Sequence, residues 1–133
     1  MAKSRGYRNN NPGNIRINGD KFQGEVIPSQ DKEFKQFESM AYGYRAIFKI
    51  LRNYQTNYKL NTIRQMISRW APKKENDTAN YISVVSERSG IPADDPIRTD
   101  NREMMIRIVA AMSRVENGID ADMVDIIDGW NLL

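Results

Sequence analysis

Apolar residues recur at helical spacing along most of the chain beyond residue 38. In the longest such stretch they lie three or four residues apart and therefore fall on one side of a helix: Tyr44, Ile47, Phe48, Leu51 and Tyr54. The same spacing predicts five helices, over residues 39–58, 61–70, 77–90, 100–116 and 120–130. Their predicted N-terminal caps are Ser39, Asn61 or Thr62, Asp77 or Thr78, Asp100 and Asp120.

The first 38 residues have a different pattern, with many turn-forming residues and short apolar segments. Residues 9–14, NNNPGN, concentrate Asn, Pro and Gly, which favour turns. Residues 22–27 and 34–37 are candidate short strands on either side of a polar loop. The predicted fold class is therefore α+β, mainly α. We expect a single domain over residues 1–133, with a small irregular β-lobe in residues 1–38 and a helical lobe in residues 39–133.

Cysteine and histidine are both absent from the sequence. Their absence excludes disulfides, thiol nucleophiles, zinc sites built from Cys and His, and Ser-His-Asp triads. Any catalysis must therefore use carboxylates, hydroxyls, amides, tyrosines or lysines. We expect neither a metal site nor a cofactor.

Charge is distributed unevenly along the chain. Residues 1–74 carry 15 Lys and Arg against 5 Asp and Glu, whereas residues 75–133 carry 5 against 12. Either the two parts form oppositely charged faces that attract each other, or the basic part binds a polyanion such as a cell-wall polymer or nucleic acid. No apolar run is long enough to span a bilayer and no secretory signal is visible, so synthesis in the cytoplasm is expected.

The fourth predicted helix ends in a carboxylate that continues its apolar face. Met105, Val109, Met112 and Glu116 follow one another at spacings of four, three and four, so they point the same way. Glu116 also lies in the last turn, where the helix dipole is negative. Both features disfavour the ionised form, and a carboxylic acid that stays protonated is what a general acid requires. The alternative is that Glu116 bends outward into water at a frayed helix end.

Three segments resemble parts of the lysozyme superfamily. Residues 110–118, AAMSRVENG, resemble the helix that ends in the catalytic Glu of those enzymes, followed by a small residue and Gly. Residues 10–16, NNPGNIR, resemble the Asn-containing loop and strand that follow this Glu in bacterial glucosaminidases, and residues 34–39, FKQFES, resemble their next segment. The resemblance implies a lysozyme-like fold of the glucosaminidase and transglycosylase kind, in circularly permuted order, with Glu116 as the proton donor.

Over nearly its full length the chain resembles a family of small phage-associated proteins that also occur in Bacteroides-type genomes. These proteins are often described as virion structural proteins. The motifs that carry the resemblance are RNNNPGNIR at residues 8–16, FES at 37–39 with GYRA at 43–46, TIR at 62–64, RWAP at 69–72, and ENDT at 75–78 before Tyr81. The resemblance implies virion components as partners and a role in a phage particle or at the cell wall after delivery.

A glycosidase usually needs a second carboxylate, as the nucleophile or as the base for a water molecule. Glu25 is our candidate, because its position after Gln23 and Gly24 resembles the point where a strand crosses the cleft in glucosaminidases. A solvated charge at a strand end is the alternative interpretation of Glu25.

The candidates for substrate binding are Asn10, Asn11, Asn14, Trp70, Tyr81 and Asn117. The three N-terminal asparagines either bind N-acetyl groups or hold their loop through Asx-type hydrogen bonds. Trp70 is either a core residue or a stacking platform for a sugar. A stretch containing a Tyr, comparable to the one around Tyr81, lines the cleft in the resembling glucosaminidases. Asn117 directly follows Glu116 in the lysozyme-like motif.

The preferred hypothesis is a peptidoglycan-cleaving glycosidase that acts on β-1,4 glycan bonds with Glu116 as general acid. Whether it is a muramidase, a glucosaminidase or a lytic transglycosylase stays open, and a monomer is expected. The alternative is a non-catalytic virion or wall-binding module with the same fold. Nucleic-acid binding is disfavoured, because the basic residues are scattered and no helix-turn-helix or stacking motif is visible.

Overall fold

Helices form most of the part of the chain that this computed structural model describes, residues 3–74 and 76–133. The helices are α1 (Arg5–Arg8), α2 (Met40–Tyr58), α3 (Ile63–Trp70), α4 (Thr78–Ser89), α5 (Arg102–Asn117) and α6 (Met123–Asn131). Two antiparallel strands, β1 (Glu25–Val26) and β2 (Gln36–Phe37), precede α2. The predicted class, α+β but mainly α, is confirmed. Glu75, which belongs to one of the motifs above, lies outside the described residues.

The longest helix, α2, forms where an apolar face and an N-terminal cap coincide. The Ser39 side chain accepts a hydrogen bond from the backbone N–H of Tyr42, as its residue type predicts. The buried residues of α2 recur at helical spacing, and α6 packs against this helix. The two helices approach closely at Gly129, where an added Cβ would lie 2.8 Å from the backbone oxygen of Ala41.

Two of the predicted helix caps are wrong by one or two residues. Asn101 rather than Asp100 caps α5, and Asp122 rather than Asp120 caps α6. Each true cap accepts a hydrogen bond from a backbone N–H of the first turn, whereas the predicted aspartates form exposed ion pairs with arginines. For the two helices with alternative predicted caps, the structure selects Thr62 for α3 and Asp77 for α4.

The N-terminal lobe is irregular, and its strands are shorter than predicted. β1 and β2 contribute two residues each, with Glu25 opposite Phe37 in the register. One further bridge joins Arg16 to Phe34. The single-turn helix α1 was not predicted, because four residues are too few to establish a helical period.

A buried asparagine holds the lobe together where strand pairing is sparse. The Asn11 Nδ2 donates to the backbone oxygens of Ile15 and Lys35, both at 2.9 Å, and its Oδ1 accepts from the Ile15 N–H at 2.9 Å. The lobe then packs closely on α2 at Gly43, where an added Cβ would lie 2.2 Å from the backbone oxygen of Asn10. Asn11 therefore supplies the backbone partners that a regular strand would supply.

One hydrophobic core joins the lobe to the helices, and α5 lies within it. Phe37 from the lobe is buried together with residues of α2 to α6. The predicted apolar face of α5 is confirmed, because its three apolar positions are almost fully buried: Met105, Val109 and Met112. Among the described residues, no helix combines the length and the apolar character needed to cross a membrane.

Candidate active site

A cleft of about 880 Å³ lies between the N-terminal lobe and helices α2 and α3. Glu116 lines it from the last turn of α5. Other residues that line the cleft are Asn14, Arg16 and Phe34 from the lobe, Tyr54 and Tyr58 from α2, and Arg69 and Trp70 from α3. The volume falls in the range of small-molecule sites.

Three side chains donate hydrogen bonds to the Glu116 carboxylate. Its Oε2 accepts from the Trp70 indole Nε1 at 3.1 Å and from the Tyr81 hydroxyl at 2.8 Å. Its Oε1 accepts from the Asn14 Nδ2 at 3.1 Å. A carboxylate has about four acceptor positions, two on each oxygen. The protein thus occupies both positions on Oε2 and leaves one on Oε1.

These donors come from different elements that converge on the end of α5. Trp70 is the last residue of α3, and Tyr81 lies in the first turn of α4 with its side chain buried. Asn14 lies in the lobe in a left-handed backbone conformation, with φ of 49°. Its Nδ2 also donates to the backbone oxygen of Glu116 at 3.3 Å, which fixes the orientation of the amide because that oxygen can only accept.

The surroundings of Glu116 are more polar than the sequence predicts. The apolar face of α5 does lead to it, but the carboxylate itself contacts three hydrogen-bond donors. The pKa of the Tyr81 phenol lies well above its usual range, because the group is buried and faces the Glu116 carboxylate. Tyr81 therefore stays a donor.

Asn117, predicted to bind substrate, has a structural role. Its Oδ1 accepts from the Ser4 hydroxyl at 2.7 Å, and its Nδ2 donates to the backbone oxygens of Pro12 at 2.8 Å and Ser113 at 3.0 Å. These contacts tie the N-terminal segment to the end of α5. Asn117 thereby helps to position the lobe that carries Asn14.

The three N-terminal asparagines separate into two groups. Asn10 donates from Nδ2 to the backbone oxygen of Phe37 at 3.1 Å, and Asn11 is buried within the lobe. Neither lines the cleft; Asn11 makes the local, Asx-type hydrogen bond to the Ile15 N–H, whereas the contact of Asn10 is long-range and joins the loop to Phe37. Asn14 lines the cleft and contacts Glu116. Trp70 packs against the core and also lines the cleft, so its stacking on a sugar stays a prediction.

Glu25 does not line the cleft, and this corrects its assignment as the second carboxylate. Its Oε2 lies 3.0 Å from the Lys35 Nζ, and both side chains are buried. Its Oε1 also accepts from the backbone N–H of Phe22 at 3.1 Å. Among the described residues, Asp20 is the other acidic residue that lines the cleft. The same part of the chain has no group of three or more acidic side chains that could bind a metal ion.

Sequence reasoning missed a cationic wall of the cleft. The Arg69 guanidinium carbon lies 3.7 Å from the centroid of the Tyr58 ring and 5.4 Å from that of Tyr54. Arg16 lies over Phe34 at 5.0 Å on the side of the lobe. The spacing of Tyr54 and Tyr58, four residues apart in a predicted helix, was a signal that could have indicated a shared aromatic surface.

The comparisons with known proteins place the chain in a family of phage proteins. It is 41% identical to Protein P5 of Pseudoalteromonas phage PM2 over 118 residues, which cover 86% of this chain and 72% of that protein. The chain therefore belongs to the family of this phage protein, in agreement with the predicted phage association. No protein-family model matches the sequence, and the lysozyme-like resemblance stays a prediction.

Proposed function

We propose that this phage-related protein cleaves β-1,4 glycosidic bonds of peptidoglycan, with Glu116 as the acid and base. The observation that supports this proposal is the Glu116 carboxylate itself. It lies in a cleft of suitable size, is oriented by three donors, and keeps one acceptor position on Oε1. A carboxyl group that is fixed in place and able to gain and lose one proton is the minimum requirement for general acid–base catalysis.

In the proposed first step, a proton on Oε1 of Glu116 passes to the glycosidic oxygen while the bond from that oxygen to the anomeric carbon breaks. A glycan that fills the cleft displaces water from around Glu116, which strengthens the electrostatic interactions inside the cleft. As the proton leaves, negative charge develops on Glu116. The donors from Asn14, Trp70 and Tyr81 stabilise that charge as it forms.

In the second step, the Glu116 carboxylate takes a proton from the group that bonds to the anomeric carbon. That group is either a water molecule, which gives hydrolysis, or a hydroxyl of the same sugar, which gives an anhydro product. Either route returns the proton to Glu116. The sugar's own acetamido group can assist where no second carboxylate takes part.

The direct test is the release of soluble fragments from purified peptidoglycan, with mass spectrometry to separate reducing-end from anhydro products. Glu116→Gln removes the transferable proton, so we expect the rate to fall by about 10² or more. Glu87→Gln is the matched control, because it makes the same change at an exposed position of α4. Full activity in the Glu116 variant, with its fold verified by circular dichroism, would refute the assignment.

A second candidate function is a non-catalytic module of a phage particle that binds the cell wall. The relationship to a phage protein favours this function. This function predicts that the chain sediments with purified peptidoglycan but releases neither reducing ends nor anhydro sugars. The same assay therefore separates the two functions.

A further inference from the structure

The Arg69 guanidinium is supported by aromatic rings at one wall of the cleft. Tyr54 and Tyr58 lie on successive turns of α2 with their rings edge to face, 6.5 Å between centroids. The Arg69 Cζ lies 3.7 Å from the Tyr58 centroid, which is contact with the face of the ring. All three residues line the cleft, and Arg69 directly precedes Trp70, a donor to Glu116.

This support leaves the donors of Arg69 available for a ligand. A guanidinium is planar, and its N–H groups point outward in the plane, so a ring against its face does not consume them. Among residues 3–74 and 76–133, no carboxylate forms an ion pair with Arg69. Arg64, on the same helix, differs because its Nε and Nη2 donate to the Asp94 carboxylate at 2.7 and 3.1 Å.

We propose that Arg69 is a binding site for a carboxylate carried by the glycan substrate. This inference deepens the proposed function and rests on it. An aromatic platform beneath a planar guanidinium presents a paired set of donors that fits a carboxylate. Peptidoglycan carries carboxylates on its peptide stems and, once the stems are removed, on its lactyl groups. Chitin oligomers have the same β-1,4 backbone and no carboxylate.

The position of Arg69 explains how such a site assists the reaction. Arg69 and Trp70 are consecutive in α3 and both line the cleft that Glu116 also lines, so a carboxylate bound at Arg69 lies in the same cleft as the Glu116 carboxylate. Binding there fixes the register of the strand relative to the acid. Arg69 is thus a specificity residue, which selects strands with acidic substituents over uncharged ones.

The test measures binding in the Glu116→Gln background, where turnover does not interfere. Three probes of equal sugar number are compared by calorimetry: glycan strands with intact peptide stems, strands stripped of stems by an amidase, and chitin oligomers. We expect at least one carboxylate-bearing strand to bind about tenfold more tightly than chitin, the value of one charge-assisted hydrogen-bonded pair. The stripped and intact strands show whether lactyl or stem carboxylates are recognised.

Arg69→Gln should abolish this preference, so that charged strands bind no more tightly than chitin does to the same variant. Arg64→Gln is the matched control, since it removes the same charge from the same helix away from the cleft. Arg69→Lys keeps the charge but loses the planar fork, so we expect only part of the preference to survive. Thermal unfolding of each variant verifies the fold.

Two results would overturn the inference. One is equal binding of charged strands and chitin by the chain with Arg69 intact. The other is an equal loss of preference in the Arg69 and Arg64 variants, which would indicate general attraction to a basic protein. Because no step of this test requires bond cleavage, its outcome is independent of whether the wild-type chain degrades peptidoglycan.

Discussion

Two glutamates, one in each lobe, have surroundings of opposite kinds. Glu25 in the N-terminal lobe forms an ion pair with Lys35 at 3.0 Å, and the two side chains are 7% and 1% exposed. Glu116 in the helical lobe instead accepts hydrogen bonds from three neutral donors. Within the part of the chain that the structure describes, no ion pair involves Glu116.

The difference lies in whether a buried cation accompanies the carboxyl group. Protonation of Glu25 would leave the buried Lys35 ammonium without a counter-charge, and this costs several kcal/mol. Protonation of Glu116 leaves no buried cation behind, because its partners are an amide, an indole and a phenol. The ion pair therefore fixes the lobe, whereas the neutral donors orient the Glu116 carboxyl group without a buried counter-charge.

Removing the Lys35 ammonium from the N-terminal lobe should have the largest effect on stability. Lys35→Met leaves the Glu25 carboxylate buried with only the Phe22 N–H as its remaining partner in the site. We expect the free energy of unfolding, measured by urea denaturation, to fall by about 3–5 kcal/mol. The activity per folded molecule should be retained, because Lys35 does not line the cleft.

The double variant Glu25→Gln with Lys35→Met is the control for this prediction. With the uncompensated charge gone, much of the lost stability should return, although the ion pair is still missing. A double variant that is as unstable as Lys35→Met alone would mean that packing of the lysine stem, rather than its charge, stabilises the lobe.

The sequence predicts the helices well because their signals are local. Apolar spacing and capping residue types identify α2 to α6, and the errors at Asp100 and Asp120 exchange one good capping type for another nearby. The two-residue strands are different. The lobe around them is held by the Asn11 amide and by a close approach to α2, and neither contact produces a periodic pattern in the sequence.

The candidate site was predictable as a set of residues and not as an arrangement. The sequence analysis named all four residues of the site. Along the chain, however, Asn14, Trp70 and Tyr81 lie 102, 46 and 35 residues from Glu116. No spacing rule joins residues so far apart. Glu25 failed for the same reason, since its strand pattern does not reveal that Lys35 lies beside it.

A smaller effect is expected from the donor that the lobe supplies to Glu116. Asn14→Gly removes the hydrogen bond to Oε1 without straining the backbone, because glycine adopts a positive φ readily. A hydrogen bond to a charged group contributes about 1.5–3 kcal/mol, so the rate of peptidoglycan cleavage should fall roughly tenfold or more.

Asn10→Gly is the matched control, since Asn10 has a similar φ of 51° and donates to a backbone oxygen away from the cleft. It should alter stability and leave the rate nearly unchanged. If both variants lose the same activity, then order in the loop, rather than the donor at Asn14, supports the reaction.

The smallest effect is expected at a third carboxylate, that of Asp31, whose partners are both a charged arginine and neutral N–H donors. Hydrogen bonds from the Arg5 side chain and from the backbone N–H of Glu33 hold the pKa of the Asp31 carboxyl far below its usual range. A carboxyl group whose pKa is lowered by folding stabilises the protein above its unfolded pKa of about 3.9, and this contribution is lost as the pH falls below that value. Asp31→Asn lacks the charge at every pH.

The variant should therefore unfold more easily than wild type at pH 7, and the difference in free energy of unfolding should shrink only once the pH falls below the unfolded pKa of about 3.9. Denaturation at three pH values, one of them well below 3.9, measures this difference. A difference that stays constant with pH would mean that the geometry of the turn, and not the charge of Asp31, is responsible.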